Sequence, residues 1–225
     1  VIDSAKAIAM GAATGRDPWE FASTGTRPDK TLPVATVLTL AASGSETSNS
    51  CVLTNEETKE KRGITSETNR PVISFLNPEN TFTVSKFQTG CGIVDIMMHT
   101  LERYLTPEGG ESDITDRIAE GLLIAVRDAG RRAIANPRDY EARATLMWAG
   151  SVSHNDYTGC GRKRLFPVHK LEHELSAFRD EIAHGAGLSV LFPAWAEHEM
   201  PYDYPRFAQF ANRVLGVEMD FEHPE

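Results

Sequence analysis

Pro71-Val-Ile-Ser-Phe-Leu-Asn-Pro78 and Gly90-Cys-Gly-Ile-Val-Asp-Ile-Met-Met-His-Thr-Leu-Glu-Arg-Tyr-Leu105 stand close together in the chain and follow different periodicities. The first is a short apolar run with β-branched residues, closed by Asn77-Pro78, and reads as a buried strand. The second places Ile93, Ile96, Met97, Leu101 and Leu105 at helical spacing. Strand signals stop after Ser85. The change of texture near residues 77–87 decides the fold class: an α/β segment followed by an all-α segment, divided into residues 1–83 and 84–225.

Towards the N-terminus the mixed pattern continues. A helix is predicted over roughly Asp3–Ala13, and a polar loop, Thr24-Gly-Thr-Arg-Pro-Asp-Lys30, leads to Pro33-Val-Ala-Thr-Val-Leu-Thr-Leu40. That run is Val- and Thr-rich and reads as another buried strand. Val52-Leu-Thr54 is a third strand candidate, and Asn55–Arg62 reads as a charged, solvated connection. The first residues already look like the inside of a helix with no cap before them, so the chain is expected to be a piece of a longer protein.

Towards the C-terminus the signals are helical. Ser112 or Asp113 can cap a long helix running to Ile134, with Ile114, Ile118, Leu122, Ala125 and Val126 on one face. Asn136-Pro137 predicts the start of the helix holding Leu146, Met147 and Trp148. Phe166–Arg179 and Gly185–His198 read as two more, with Pro193 ending or kinking the second. Tyr204–Leu215 is the last, stopped by Gly216.

Composition narrows the function classes. The 225 residues carry 23 Lys plus Arg against 32 Asp plus Glu, a net charge of −9, which disfavours phosphate backbones and anionic lipid as partners. No apolar run reaches the roughly 18 residues that span a bilayer. Cys51, Cys91 and Cys160 form no close pair, as expected of reduced thiols in a cytoplasmic protein.

Three constellations could carry chemistry. Asp95 and His99 share one helical face a turn apart, a spacing that suits chelation of one metal ion, on a helix apolar enough that the carboxylate needs a partner. His169, His173 and His184 put three of the seven histidines within sixteen positions. Asp95, His99, His169 and His184 together have the donor number and type of a divalent iron or zinc site. A solvated face is the competing reading for His169 and His173, because Lys170, Glu172 and Glu174 surround them. Thr39-Leu-Ala-Ala-Ser-Gly-Ser-Glu46 runs from a strand into a Ser/Gly turn that could cradle a phosphate, or could be a plain turn.

Thr89-Gly-Cys-Gly-Ile-Val-Asp95-Ile-Met-Met-His99-Thr-Leu-Glu-Arg-Tyr104, followed by His169-Lys-Leu-Glu-His173-Glu-Leu-Ser176 and Ala183-His-Gly-Ala-Gly187, resembles the iron-containing (group III) alcohol dehydrogenases. Thr39–Glu46 and Thr54-Asn-Glu-Glu-Thr-Lys-Glu-Lys61 are similar to the branch of butanol dehydrogenases and NADPH-dependent aldehyde reductases. The likeness covers nearly the whole chain. It implies part of a dinucleotide-binding α/β domain followed by a helical metal-binding domain, without the family's glycine loop or its last helices. It further implies that Asp95, His99, His169 and His184 ligate the metal, that His173 lies near the nicotinamide, and that Asp3, Thr39, Ser43, Ser45 and Lys61 face the cofactor. Ser43 replaces the family's usual Thr, Ser48 its Asn, and Phe178–Ala183 is one residue longer than the family's spacing.

The implied activity is hydride transfer between NAD or NADP and a small primary alcohol or aldehyde, with Fe2+ or Zn2+ as Lewis acid and His173 passing the proton to solvent. A homodimer is expected of the full-length enzyme. Competing readings are a glycerol or polyol dehydrogenase of the same superfamily, a metallohydrolase on the same Asp/His shell, and a non-catalytic module whose metal staples helices.

Overall fold

The computed structural model of the chain describes residues 1–106, 112–163 and 165–218, so the end of the expected helical domain, 219–225, lies outside the described residues. The α/β segment opens with α1 (Ile2–Thr14), closed by Gly15 in the left-handed region at φ 69°, and α2 (Pro18–Thr24). Sequence periodicity did not reveal α2. Its start is chemical: Pro18 takes the first position and the Asp17 carboxylate accepts from Trp19 N–H at 2.9 Å.

Four short strands follow as two separate pairs. β1 (Ala35–Val37) lies parallel to β4 (Ile73–Phe75), Ala35 opposite Ile73 and Val37 opposite Phe75. Both predicted strands are therefore shorter than expected, and neither is buried on both faces. Val34, Thr36 and Leu38 turn inward, while Val37 and Phe75 are exposed. β2 (Ser50–Asn55) pairs antiparallel with β3 (Glu60–Thr65). The expected solvated connection over Asn55–Arg62 thus becomes a tight turn and half a strand. The Asn55 side chain accepts from Glu57 and Thr58 N–H at 2.9 and 3.1 Å and sets the turn. In β3 only Ile64 is deeply buried, so pairing with β2 supplies the order that its charged sequence does not advertise. Met10, Phe21, Cys51 and Ile64 form the small core beneath the hairpin.

The helical segment is built around α3 (Lys86–Leu105), which begins a turn before Gly90 because Ser85 Oγ accepts from Gln88 N–H at 3.1 Å. Around it stand α4 (Asp113–Ala135), α5 (Tyr140–Ser153), α6 (Pro167–Phe178), α7 (His184–Glu199) and α8 (Tyr204–Phe210), the last continuing through a π-helical turn, Ala211–Leu215, to Gly216 at φ 74°. Asp139, not Asn136, caps α5. Pro193 lies inside α7 without ending it. The buried face of α4 matches the predicted one only in part: Val126 is buried and Leu122 half-buried, but Ile114 and Ala125 face outward, and Asp116, Glu120 and Leu123 also face in. The carboxylates can be inside because Tyr104, Arg206 and Arg213 bond to them.

Two cores flank α3. Met98, Leu101 and Tyr104 pack with Leu123, Val168, Leu188 and Trp195. Ile96 packs with Val126, Ala129, Leu146 and Ala149. Glycines bring backbones into contact at the seams, since a Cβ on Gly92 would lie 2.1 Å from Ala41 O. No helix among the described residues is long and apolar enough to cross a membrane.

Candidate metal centre

The buried face of α3 carries Asp95 and His99, the first turn of α6 carries His169, and His184 opens α7. His99 Nδ1 lies 3.6 Å from Asp95 Oδ1, His169 Nε2 lies 3.4 Å from the same oxygen, and His184 Nε2 lies 3.6 Å from it. The structure thus gathers all four residues singled out as ligands at one focus. Residues 179–183 link α6 to α7 outside either helix, which accommodates the longer spacing before His184.

The focus is short of partners. Asp95 Oδ1, His99 Nδ1 and His169 Nε2 are buried and have no hydrogen-bond partner. Three desolvated polar atoms aimed at one point are unfavourable unless something satisfies them together, and a cation does. One carboxylate oxygen with imidazole nitrogens is a donor set that ferrous iron or zinc accepts.

The electrostatics favour an anion amid imidazoles. Burial pushes the Asp95 carboxyl up, but His169 and the nearby His184 outweigh it and hold it below the usual carboxylate range. Burial, with His154 and His169 close by, pushes His99 well down. For His169 burial also acts downward, yet Asp95 and Glu102 prevail and raise it to about 9. A proton on His169 and a cation at the focus answer the same negative charge.

Carboxylates stand behind two of the histidines. Glu102 is fully buried on α3, pairs with His169 Nδ1, and accepts from Val168 and His169 N–H at 2.8 and 3.2 Å. Glu172 pairs with His184 Nδ1. Each pairing leaves Nε2 turned to the focus. Neither carboxylate emerges from the sequence as functional, and Glu172 enters there only as part of the competing solvated-face reading of His169 and His173. Lys170 and Glu174 are indeed exposed, but Glu172 is wholly buried. The available signal was its position, three residues after His169 on the same helix.

His173 sits beside the centre, its ring 5.6 Å from that of His184 and 6.4 Å from that of His169. Burial, reinforced by Lys61 and His184, lowers it to about 3, so it is neutral near pH 7. His154 at the end of α5 was not anticipated. Its ring lies 4.1 Å from that of His99, and burial with Arg103 lowers it to about 3. Arg103 reaches back to His99 O at 2.8 Å and fixes that part of α3.

The residues expected to face a cofactor divide into two groups. Thr39 and Ser43 are exposed beside the Ser/Gly turn. Ser45 is buried and donates to Asp3, whose other carboxylate oxygen accepts from Val52 N–H at 2.8 Å. Asp3 and Ser45 therefore tie α1, the turn and β2 together. The turn is also fastened to α5: Ser151 Oγ donates to Glu46 at 2.6 Å, and a Cβ on Gly44, at φ +65°, would lie 2.4 Å from Gly150 O. Lys61 on β3 crosses to α6, donating to Ser176 Oγ at 2.8 Å, with its ammonium 3.6 Å from Glu172.

Fold and donor set together describe an α/β segment carrying a small-residue turn, seated against a helical cluster of one carboxylate and three histidines whose donor types suit a divalent ion. The model of the Fe-containing alcohol dehydrogenase family, C-terminal part, matches residues 89–224, more than half of the chain, and that of iron-containing alcohol dehydrogenase matches residues 1–78. The chain belongs to the iron-containing alcohol dehydrogenase family. It is 40% identical to NADH-dependent butanol dehydrogenase A of Clostridium acetobutylicum over 225 residues, all of this chain and 57% of that protein. It is 33% identical to the NADPH-dependent aldehyde reductase YqhD of Escherichia coli, over 96% of this chain and 56% of that protein. The crystal structure of NADH-dependent butanol dehydrogenase A from Thermotoga maritima superposes with a TM-score of 0.93 at 41% identity, covering 99% of this chain and 55% of that one. The chain thus spans little more than half the length of the relatives it matches.

Proposed function

We propose that this chain forms the metal-binding half and part of the nucleotide-facing half of an alcohol/aldehyde oxidoreductase that moves hydride between NAD(P) and a small primary alcohol or aldehyde. The observation that carries the reading is the convergence of His99, His169 and His184 on Asp95 Oδ1, with three of the donor atoms buried and unpaired. Likeness to an NADH-dependent butanol dehydrogenase and an NADPH-dependent aldehyde reductase supports the substrate class and the nicotinamide cofactor.

Asp95, His99, His169 and His184 would hold a divalent ion, iron by family. Bound there, the ion supplies a Lewis acid for the substrate oxygen, and the nicotinamide supplies or takes up the hydride. Asp95 brings the negative charge, Glu102 holds His169 by its Nδ1, and the apolar stretch of α3 keeps water from the focus. Thr39 and Ser43 present hydroxyls and Lys61 a positive charge on the cofactor side, while Asp3 and Ser45 keep the turn in place. His173, neutral and adjacent to His184, passes a proton between substrate and solvent by accepting at one ring nitrogen and releasing at the other.

The test is metal stoichiometry after anaerobic loading with ferrous iron or zinc, beside His169→Ala. One equivalent in the parent and its loss in the folded variant is the expected result. A folded parent that takes up no metal would overturn the assignment.

A further inference from the structure

Glu172 is a buried carboxylate at the meeting of three elements, and the ligand roles above do not use it. It is 0% exposed on α6. From α7 it receives His184 Nδ1; from its own helix Ser176 Oγ donates to Oε2 at 3.3 Å; from β3 the Lys61 ammonium stands 3.6 Å from that oxygen and donates to Ser176 at 2.8 Å. The space for it is made by a glycine, since a Cβ on Gly187 would lie 2.9 Å from Glu172 Cγ and 3.1 Å from Oε1. Its remaining oxygen, Oε1, is buried and unpartnered.

Two roles compete for this arrangement. Glu172, His173 and His184 have donor atoms within 4.8 Å of one another and so could hold an ion of their own. Against that, Oε2 is already engaged by His184 Nδ1, and the Lys61 ammonium beside it repels a second cation. What the contacts do supply is orientation. His184 is the ligand most in need of it: its side chain is 29% exposed against 6% for His99 and 8% for His169, and it begins its helix. A carboxylate on Nδ1 fixes the tautomer that leaves the Nε2 lone pair facing Asp95 Oδ1.

Resting on the reading of the four residues as ligands, we infer that Glu172 is the positioning residue for His184, held in turn by Lys61 and Ser176, so that the hairpin carrying Lys61 is linked to the metal through one carboxylate.

The experiment is chelator competition for cobalt(II), followed by the visible absorption of the bound ion, on the parent, Glu172→Ala, Glu172→Gln, His184→Ala and the Glu172→Ala/His184→Ala pair, each checked for helical content. Glu172→Ala should weaken binding about 10- to 100-fold and alter the absorption band. Glu172→Gln, whose amide oxygen can still accept from Nδ1–H, should recover most of the affinity. The double variant should bind no more weakly than His184→Ala alone, because both changes act through one imidazole. Parental affinity in folded Glu172→Ala, or losses that add in the double variant, would overturn the inference while leaving the ligand set standing. Failure of His184→Ala to weaken binding would instead remove His184 from the ligands, and this inference with it.

Discussion

A methyl group added at Gly185 would lie 2.1 Å from the backbone oxygen of Cys91, so α7 is seated on α3 by direct backbone contact one residue beyond His184. That seat brings the His184 ring to the Asp95 carboxylate four residues further along α3. The glycine belongs to the metal centre through packing, without any donor of its own.

Gly185→Ala should therefore separate the two helices, destabilise the protein by about 1–3 kcal/mol or more, and reduce metal uptake. Gly90→Ala, next to Cys91 on the facing helix α3, is the control, because a Cβ there meets nothing within 4 Å. It should stabilise by about 0.5–1 kcal/mol and leave uptake unchanged. Thermal unfolding and metal stoichiometry of both variants measure this, and equal behaviour of the two would contradict the packing argument.

Removing the carboxylate behind His169 tests orientation at the other end of the site. Glu102 is fully buried and accepts from two backbone N–H groups of α6 as well as the ring, so Glu102→Ala should loosen the start of α6 and its ligand together. Metal affinity should fall about 10- to 100-fold. Glu102→Gln retains an acceptor and should lie between the two. Unaltered affinity in folded Glu102→Ala would show that packing alone orients the ring.

Much of this was legible in the sequence for identifiable reasons. The helices of residues 86–215 announce themselves because an apolar stripe at helical spacing is a local pattern, and the i, i+4 spacing of Asp95 and His99 survives folding unchanged. β3 was missed because its residues are charged and its order comes from β2, a partner that no local pattern names. The role of Glu172 is hidden for a related reason. Among exposed Lys170 and Glu174 it reads as surface, and only the arrival of α7 and Lys61 makes a buried carboxylate tenable there. Asp3 and Ser45 were expected to face a cofactor, but nothing local shows that they bond to one another across the fold.

His173 offers a kinetic test. It is neutral across the physiological range and its ring is 5.6 Å from that of His184, so its loss should leave the ligands intact. In active enzyme His173→Ala should keep its metal and lower kcat by about a hundredfold. An unchanged kcat would exclude the proton-passing role.

Asp116 gives the fold a specific sensitivity to acid, remote from the candidate metal centre. It is 5% exposed on α4 and receives Arg206 at 2.6 and 2.7 Å, Gln209 at 3.2 Å, and Arg162. Burial acts upward on its carboxyl, but the two guanidinium groups prevail and lower it from 3.8 to about 2. A carboxyl depressed in the folded state contributes stability that is fully present above its unfolded value and lost as the pH falls through its folded one. The window is therefore about pH 4 to 2, with about 1 kcal/mol gone by pH 3 and about 2 kcal/mol by pH 2. Asp116→Asn leaves buried Arg162 and half-buried Arg206 short of a counter-charge, so it should be less stable by about 3 kcal/mol at neutral pH. It should also lack this part of the acid dependence. Urea unfolding of both proteins between pH 5 and pH 3 measures the difference: the parent should lose about 1 kcal/mol more than the variant over that range. Parallel curves would mean that the arginines hold Asp116 by packing rather than by charge.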